Sequence, residues 1–400
     1  MSKQLLQIES PASPQAAAAF ALWRLGFRPF YLLGALFAAL GVPLWVAVFA
    51  GALRLPEGLP AQTWHAHEMV FGFALAIVTG FLFTAVRNWT NQPTPTGGRL
   101  AALALLWLAA RVAFVAGAPG IGLLVELLFL LLVAAALFKA LLRAKNRRNY
   151  FVGALFAVLA IADVVFWAAA QGFAGGVNPD AVVRFGLYLV ATLTFVIGGR
   201  VIPMFTLNAV RGLKQYKDAR LDRAAIGFSV AAFALELAGV AGAALAAVAG
   251  LAALLQAARL IGWGPQGTLG KPILWILHAS YAWAVAGFAL MAAAALGWVP
   301  RSLSVHAFAV GLVGGLIIGM ITRTALGHTG RMLIAGRAET AMYALVQAAA
   351  VLRVFGPLLA PDMTVRMAEV SSLLWCAAFL LYAFAYWPKL SRARIDGRDG

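Results

Sequence analysis

The chain has 400 residues, 63% of them hydrophobic and 11% charged, with a mean hydropathy of +0.89 and a formal net charge of +17. Soluble domains carry about a quarter charged residues, so this composition excludes a soluble enzyme and leaves a polytopic membrane protein. The single cysteine, Cys376, excludes a disulfide framework or a thiolate cluster within one chain.

In chain order, residues 1–15 are polar and read as a loose tail with a poor secretory signal, because Arg24 and Arg28 interrupt the apolar run that follows. Residues 16–27 read as an interfacial lead-in helix, with Trp23, Arg24 and Arg28 suited to the headgroup level. A helix crossing the hydrocarbon needs roughly 20 apolar residues. Windows of that length fall at 28–50, 64–86, 99–117, 120–142, 150–172, 182–206, 224–240, 242–262, 272–297, 303–323, 338–358 and 364–387. The fold class is therefore all-α, a single domain of twelve transmembrane helices over residues 28–387, followed by a basic tail at 388–400. The weakest boundary is Gly239-Val240-Ala241-Gly242, the only turn signal between windows seven and eight.

Lysine and arginine collect in alternate loops, and basic loops stay cytoplasmic. Both termini are thus expected on the cytoplasmic side of the membrane, with the charge directed at anionic lipid. The basic residues are scattered over loops without aromatic interleaving, so no nucleic-acid partner is expected.

This orientation gives each intramembrane polar residue a depth. His65, His67, Glu68, Arg111, Glu126, Asp163, Glu236, His306, Arg353 and Glu369 fall in the outer half; Arg200, His278, Arg323 and His328 fall nearer the cytoplasm. Ionisable groups in hydrocarbon cost about 2.5–3.5 kcal/mol each on insertion scales and usually mark a relay, pathway or cofactor. Structural Arg/Glu pairs and snorkelling arginines are the plain alternative. Histidine shifts the balance, being the commonest metal ligand. On a regular helix His65 and His67 project about 200° apart, whereas His65 and Glu68 share a face. With Thr63 as N-cap, His67 points into the bundle while His65 and Glu68 face another cleft or the outer water.

Span ten repeats glycine at 311, 315 and 319, a stripe that admits close helix approach or a flat cofactor. Aligning His67 with His306 brings Gly72 onto Gly311 and Gly80 onto Gly319. Span six carries the related Gly198-Gly199-Arg200 group without a histidine. Equivalence of spans two, six and ten would follow from three repeated four-helix units, the plan of the haem-copper oxidase main subunit, in which histidines on spans two and ten ligate a haem.

Several motifs resemble one family. They include Phe27-Arg28-Pro29-Phe30, Trp64-His65-Ala66-His67-Glu68-Met69, Gly80-Phe81-Leu82-Phe83-Thr84-Ala85 and Trp107-Leu108-Ala109-Ala110-Arg111. Further on come Gly199-Arg200-Val201-Ile202-Pro203, Leu277-His278-Ala279-Ser280-Tyr281, and the run from Thr322-Arg323 through His328 to Arg331. Together they are similar in content and order to the NnrS family over residues 22–387, with Phe83 where leucine is common. The resemblance implies haem- and copper-containing inner-membrane proteins linked to denitrification and nitric oxide tolerance.

The expected chemistry is metal-dependent handling of nitric oxide, with reduction to N2O as the leading reading. His67 and His306 are the expected axial ligands of a haem b. His65 with Glu68, or His278 with His328, is the expected site for copper or a second iron. Glu68, Asp163 and Glu126 are the expected proton carriers, and Arg111, Arg200, Arg323 and Arg331 the expected partners of cofactor anions. His306 and His328 are 22 residues apart, roughly 33 Å along a straight helix, and cannot share one ion. The electron donor is expected to be a quinol or a cytochrome. The competing reading is a transporter or sensor for NO-derived or dinitrosyl-iron species, which twelve spans also suit.

Overall fold

The computed structural model describes residues 20–54 and 59–398. Twelve helices appear among them: α1 (Phe27–Phe49), α2 (Ala61–Thr90), α3 (Gly97–Val115), α4 (Pro119–Arg143), α5 (Tyr150–Ala170), α6 (Pro179–Ala209), α7 (Ala219–Leu237), α8 (Gly242–Gly262), α9 (Pro272–Ala295), α10 (Arg301–His328), α11 (Arg337–Leu359) and α12 (Thr364–Ser391). Each overlaps one expected window. Eleven are long and apolar enough to cross a membrane; α7 is the exception, because Arg220, Asp222, Arg223 and Glu236 crowd its 19 residues. The glycine turn expected between windows seven and eight is there, with Gly239 at φ +76° and Gly242 at φ +70°, values that a side chain disfavours.

The lead-in helix is not formed where it can be seen. Residues 16–19 lie outside the described residues, and 20–26 make turns. Their backbone groups are taken by the other end of the chain: Phe20 bridges Arg392, and the Ala21 N–H donates to the Ser391 carbonyl at 2.7 Å. Arg28, expected among headgroups, is buried and donates to the carbonyls of Leu390 and Arg392, both at 2.7 Å. A cation there closes the C-terminal end of α12. Both described chain ends therefore lie at one face of the bundle, called here the terminal face; the opposite one is the mouth.

The same clasp extends to α10. Arg394 donates to the His328 carbonyl at 2.9 Å and to the Asp396 carboxylate at 2.8 Å. The hydrogen bond from Arg394 holds the Asp396 carboxyl at about 2, below its ordinary 3.8. A depressed carboxylate stabilises only while ionised, so the clasp is expected complete above about pH 4 and lost as the pH falls toward 2. Amide exchange over residues 394–398, corrected for intrinsic rate, should accelerate across that window.

Consecutive helices pack side by side, and α12 packs back on α1. Across the bundle α2, α6 and α10 also touch one another. The centre is thus built from the second helix of each group of four, the arrangement that the glycine alignment anticipates. Burial agrees: 78% and 72% of the apolar windows of α2 and α10 are enclosed, against 39% for α1, α3 and α4. Both of these helices contain a π-helical segment, Glu68–Ala74 in α2 and Ala307–Gly314 in α10, each directly after a histidine. Such segments concentrate at functional sites.

Candidate functional site

α2 opens at the mouth with Pro60 as N-cap and no side-chain cap. Thr63 is not the cap: it lies inside the first turn and donates to Asp180 of α6 at 3.0 Å. His65 and His67 diverge as the helical spacing requires. Glu68 does not follow His65, however; it starts the π segment and turns to His67.

His67 stands in a closed, charged cluster within the first four-helix group and α5. Its Nδ1 meets Glu68 Oε1 at 3.1 Å, and its Nε2 meets Asp163 Oδ1 at 2.9 Å and Glu126 Oε2 at 3.7 Å. Phe71 and Phe166 stack on the two faces of the ring, with centroids at 4.9 and 4.6 Å. Arg111 lies beside Glu68 at 3.5 Å and pairs with Glu126. All five polar residues are buried. The guanidinium fits because Gly72 lacks a side chain, since a Cβ there would come within 2.6 Å of Arg111 Nη1. The Trp107 indole of α3 fastens the same spot by donating to the Gly72 carbonyl at 3.0 Å. Glu68, Glu126 and Asp163 are thus brought together, and Arg111 is committed to two of them.

His67 does not meet His306. With its faces covered by phenyl rings and both nitrogens on carboxylates, it points away from the centre. The partner of His306 is His65: both line a cavity of about 570 Å³ enclosed by α1, α2, α6, α10, α11 and α12. That volume is in the range of cofactor and ligand sites. The walls are mostly apolar, including Val42, Val70, Phe73, Leu187, Val313 and Trp375. His65 stacks on Trp45 with centroids 4.2 Å apart, and its buried Nδ1 has no hydrogen-bond partner. His306 Nδ1–H donates to the Ser302 carbonyl at 2.7 Å, which leaves Nε2 with a lone pair.

Three arginines line the mouth of this cavity: Arg184 of α6, Arg301 of α10 and Arg353 of α11. Glu236 of α7 approaches Arg184 at 3.3 Å and Arg301 at 3.2 Å, and accepts from Tyr188 at 3.3 Å. Sequence reasoning passes over Arg184 and Arg301, because they read as sparse charges at span ends. The signal is that each sits within a turn or two of the start of a helix belonging to the central three.

The inner layer does not assemble. His278 Nε2 lies 2.8 Å from the Thr206 hydroxyl on α6, while the His328 ring packs on Phe27 of α1, so the two have no partner in common. Neither expected second-metal pair, His65 with Glu68 or His278 with His328, is therefore brought together. Arg200 donates to Asn149 at 3.3 Å, Arg323 lies 4.0 Å over the Phe205 ring, and Arg331 donates to the Thr329 carbonyl at 3.3 Å. These three face different partners. The terminal face holds instead a network centred on Arg259, which sequence reasoning misses inside the Ala-rich run of α8.

No curated relative matches the chain. The NnrS protein family model matches residues 21–394, nearly every described residue. The motifs quoted above, including the one that carries the two diverging histidines of α2, fall within that span; the chain belongs to the NnrS family of membrane proteins of the nitric oxide response.

Proposed function

We propose that the cavity lined by His65 and His306 holds a b-type haem and that the protein handles nitric oxide there, most simply by reducing it to N2O. One observation carries this reading: two imidazoles with available nitrogens border a mostly apolar cavity of about 570 Å³ whose mouth is lined by three arginines. The donor set fits. A metal-binding histidine characteristically gives its other ring N–H to a backbone carbonyl, which fixes tautomer and orientation, as Ser302 does for His306. Bound haem supplies an iron that takes imidazole and a diatomic ligand and changes oxidation state by one electron.

The protein's own residues do the rest. Arg184, Arg301 and Arg353 would pair with the propionates of a bound haem, and Glu236 holds the first two in place. The apolar wall excludes water and admits an uncharged gas. Reducing two NO molecules takes two protons and two electrons. Asp180 lines the cavity and is positioned by Thr63, so it takes the proton-supplying role here. Glu68, Glu126 and Asp163 face the other side of α2. Electrons come from a donor of quinol or cytochrome class, and the basic loops toward the terminal face support a mouth on the periplasmic side of the inner membrane.

Optical spectra of the detergent-purified protein test this. The wild type is expected to show a Soret band that His65→Ala or His306→Ala removes or shifts, and that His278→Ala and His328→Ala leave in place. A haem-supplied wild type without the band would overturn the reading in favour of a haem-free transporter or sensor, and a His65→Ala/His306→Ala double variant that keeps the band unshifted would overturn the assignment of haem to this cavity.

A further inference from the structure

We infer that His67, Glu126 and Asp163 form a divalent-metal site within the α2–α5 bundle, separate from the cavity and from whatever it holds. One ligand atom from each of the three lies within 4.8 Å of the other two, and all three residues are buried. For ligands about 2.0–2.2 Å from an ion, a tetrahedral arrangement puts donor atoms about 3.4 Å apart. The observed separations from His67 Nε2, 2.9 Å to Asp163 and 3.7 Å to Glu126, bracket that value.

Three further observations point to a ligand. Glu126 Oε2 and Asp163 Oδ2 are buried without a hydrogen-bond partner, although buried carboxylate oxygens are normally satisfied. Glu68 accepts from the far nitrogen of His67, and Arg111 steadies Glu68, which is the carboxylate–histidine support that metal-binding imidazoles use. The Phe71 and Phe166 rings stack on the faces of the imidazole and fix its plane, with Nε2 directed at Asp163 and Glu126.

Charge is consistent with a divalent ion: with a neutral His67 ring and three ionised carboxylates, Arg111 leaves two negative charges, which a divalent ion neutralises while any proton held at Nε2 or a carboxylate leaves to solvent. One imidazole with two carboxylates suits manganese(II), iron(II) or zinc(II) and is poor in the soft ligands that copper(I) selects. Access from the mouth is short, since Glu126 is seven residues into α4, roughly 10 Å.

The test uses full-length protein in detergent, stripped with a chelator and equilibrated with Mn(II), with bound metal read by elemental analysis and EPR. Wild type is expected to bind one Mn(II) per chain. Asp163→Asn and Glu126→Gln should lose it, Glu68→Gln should bind roughly tenfold or more weakly, and His65→Ala should bind as wild type. Glu126→Gln leaves both His67 hydrogen bonds in place, so it carries the result if Asp163→Asn does not fold; elution profile and helical circular dichroism identify folded variants. Folded wild type that binds no Mn(II), binding that survives Glu126→Gln, or binding lost equally in His65→Ala would each overturn the inference.

Discussion

Arg111→Leu is expected to destabilise the folded protein by about 3–5 kcal/mol, the usual cost of removing one partner from a buried ion pair. The guanidinium is 3% exposed and faces both Glu68 and Glu126, so its loss strands carboxylates that water cannot reach. Leucine fills much of the space, which separates the loss of charge from the loss of packing. Arg111→Lys should rescue only in part: an ammonium is a point charge and cannot reach two carboxylates as a planar fork does. Glu126→Gln introduced with Arg111→Leu should recover a large share, since it removes one stranded charge. Thermal unfolding of the four proteins in one detergent measures the cycle. Additive losses in the double variant would mean that the contact seen between Arg111 and Glu126 contributes no coupling.

Arg259→Leu is expected to cost about 3 kcal/mol, and its coupling to Gly199 is the sharper result. Arg259 of α8 donates to Asp222 of α7 at 2.7 Å, to Gln256 at 3.1 Å, to the Tyr281 hydroxyl of α9 at 2.5 Å and to the Phe195 carbonyl of α6 at 3.3 Å. Removing it leaves a partly buried carboxylate and several buried polar atoms unmatched, and such orphaned groups cost about 1–3 kcal/mol each; the 30% exposure of Asp222 keeps the sum near the lower end. The network closes on Gly199, where a Cβ would fall within the guanidinium. Gly199→Ala should therefore be destabilising in the wild type and nearly neutral beside Arg259→Leu. Thermal unfolding reads this as well, and equal effects of Gly199→Ala in both backgrounds would sink the account.

The large features were legible because they rest on composition and period. The twelve helices, the turn between α7 and α8, and the grouping of ionisable residues toward two ends follow from hydropathy, glycine placement and alternating direction. The divergence of His65 from His67 follows from 100° per residue. What failed has a physical reason at each residue. Glu68 was assigned to the face of His65 by regular α geometry, but α2 changes hydrogen-bond pattern at Glu68 and the carboxylate goes with His67. The pairing of His67 with His306 rested on a valid repeat alignment, yet equivalent positions in a pseudo-repeat need not face each other across the centre. Arg259 went unseen because one arginine in an Ala-rich run looks like a span end. The Gly199 beside it was read with its neighbour Arg200, since adjacency in sequence is visible and adjacency in space is not.

The extra residue that each π turn holds makes α2 and α10 two-register helices. In a uniform α-helix His65 and Gly72, seven residues apart, would point nearly the same way; the π segment, which begins between them and includes Gly72, turns this part away from the direction of His65. That offset lets His65 look into the central cavity while Gly72, further along the same helix, accommodates Arg111 on the flank. A single rod can thus serve two separate chemical neighbourhoods without a kink. Removing one residue from Glu68–Ala74 would leave α2 helical and apolar but set its two halves back in phase, so the mouth and the flank would compete for one orientation.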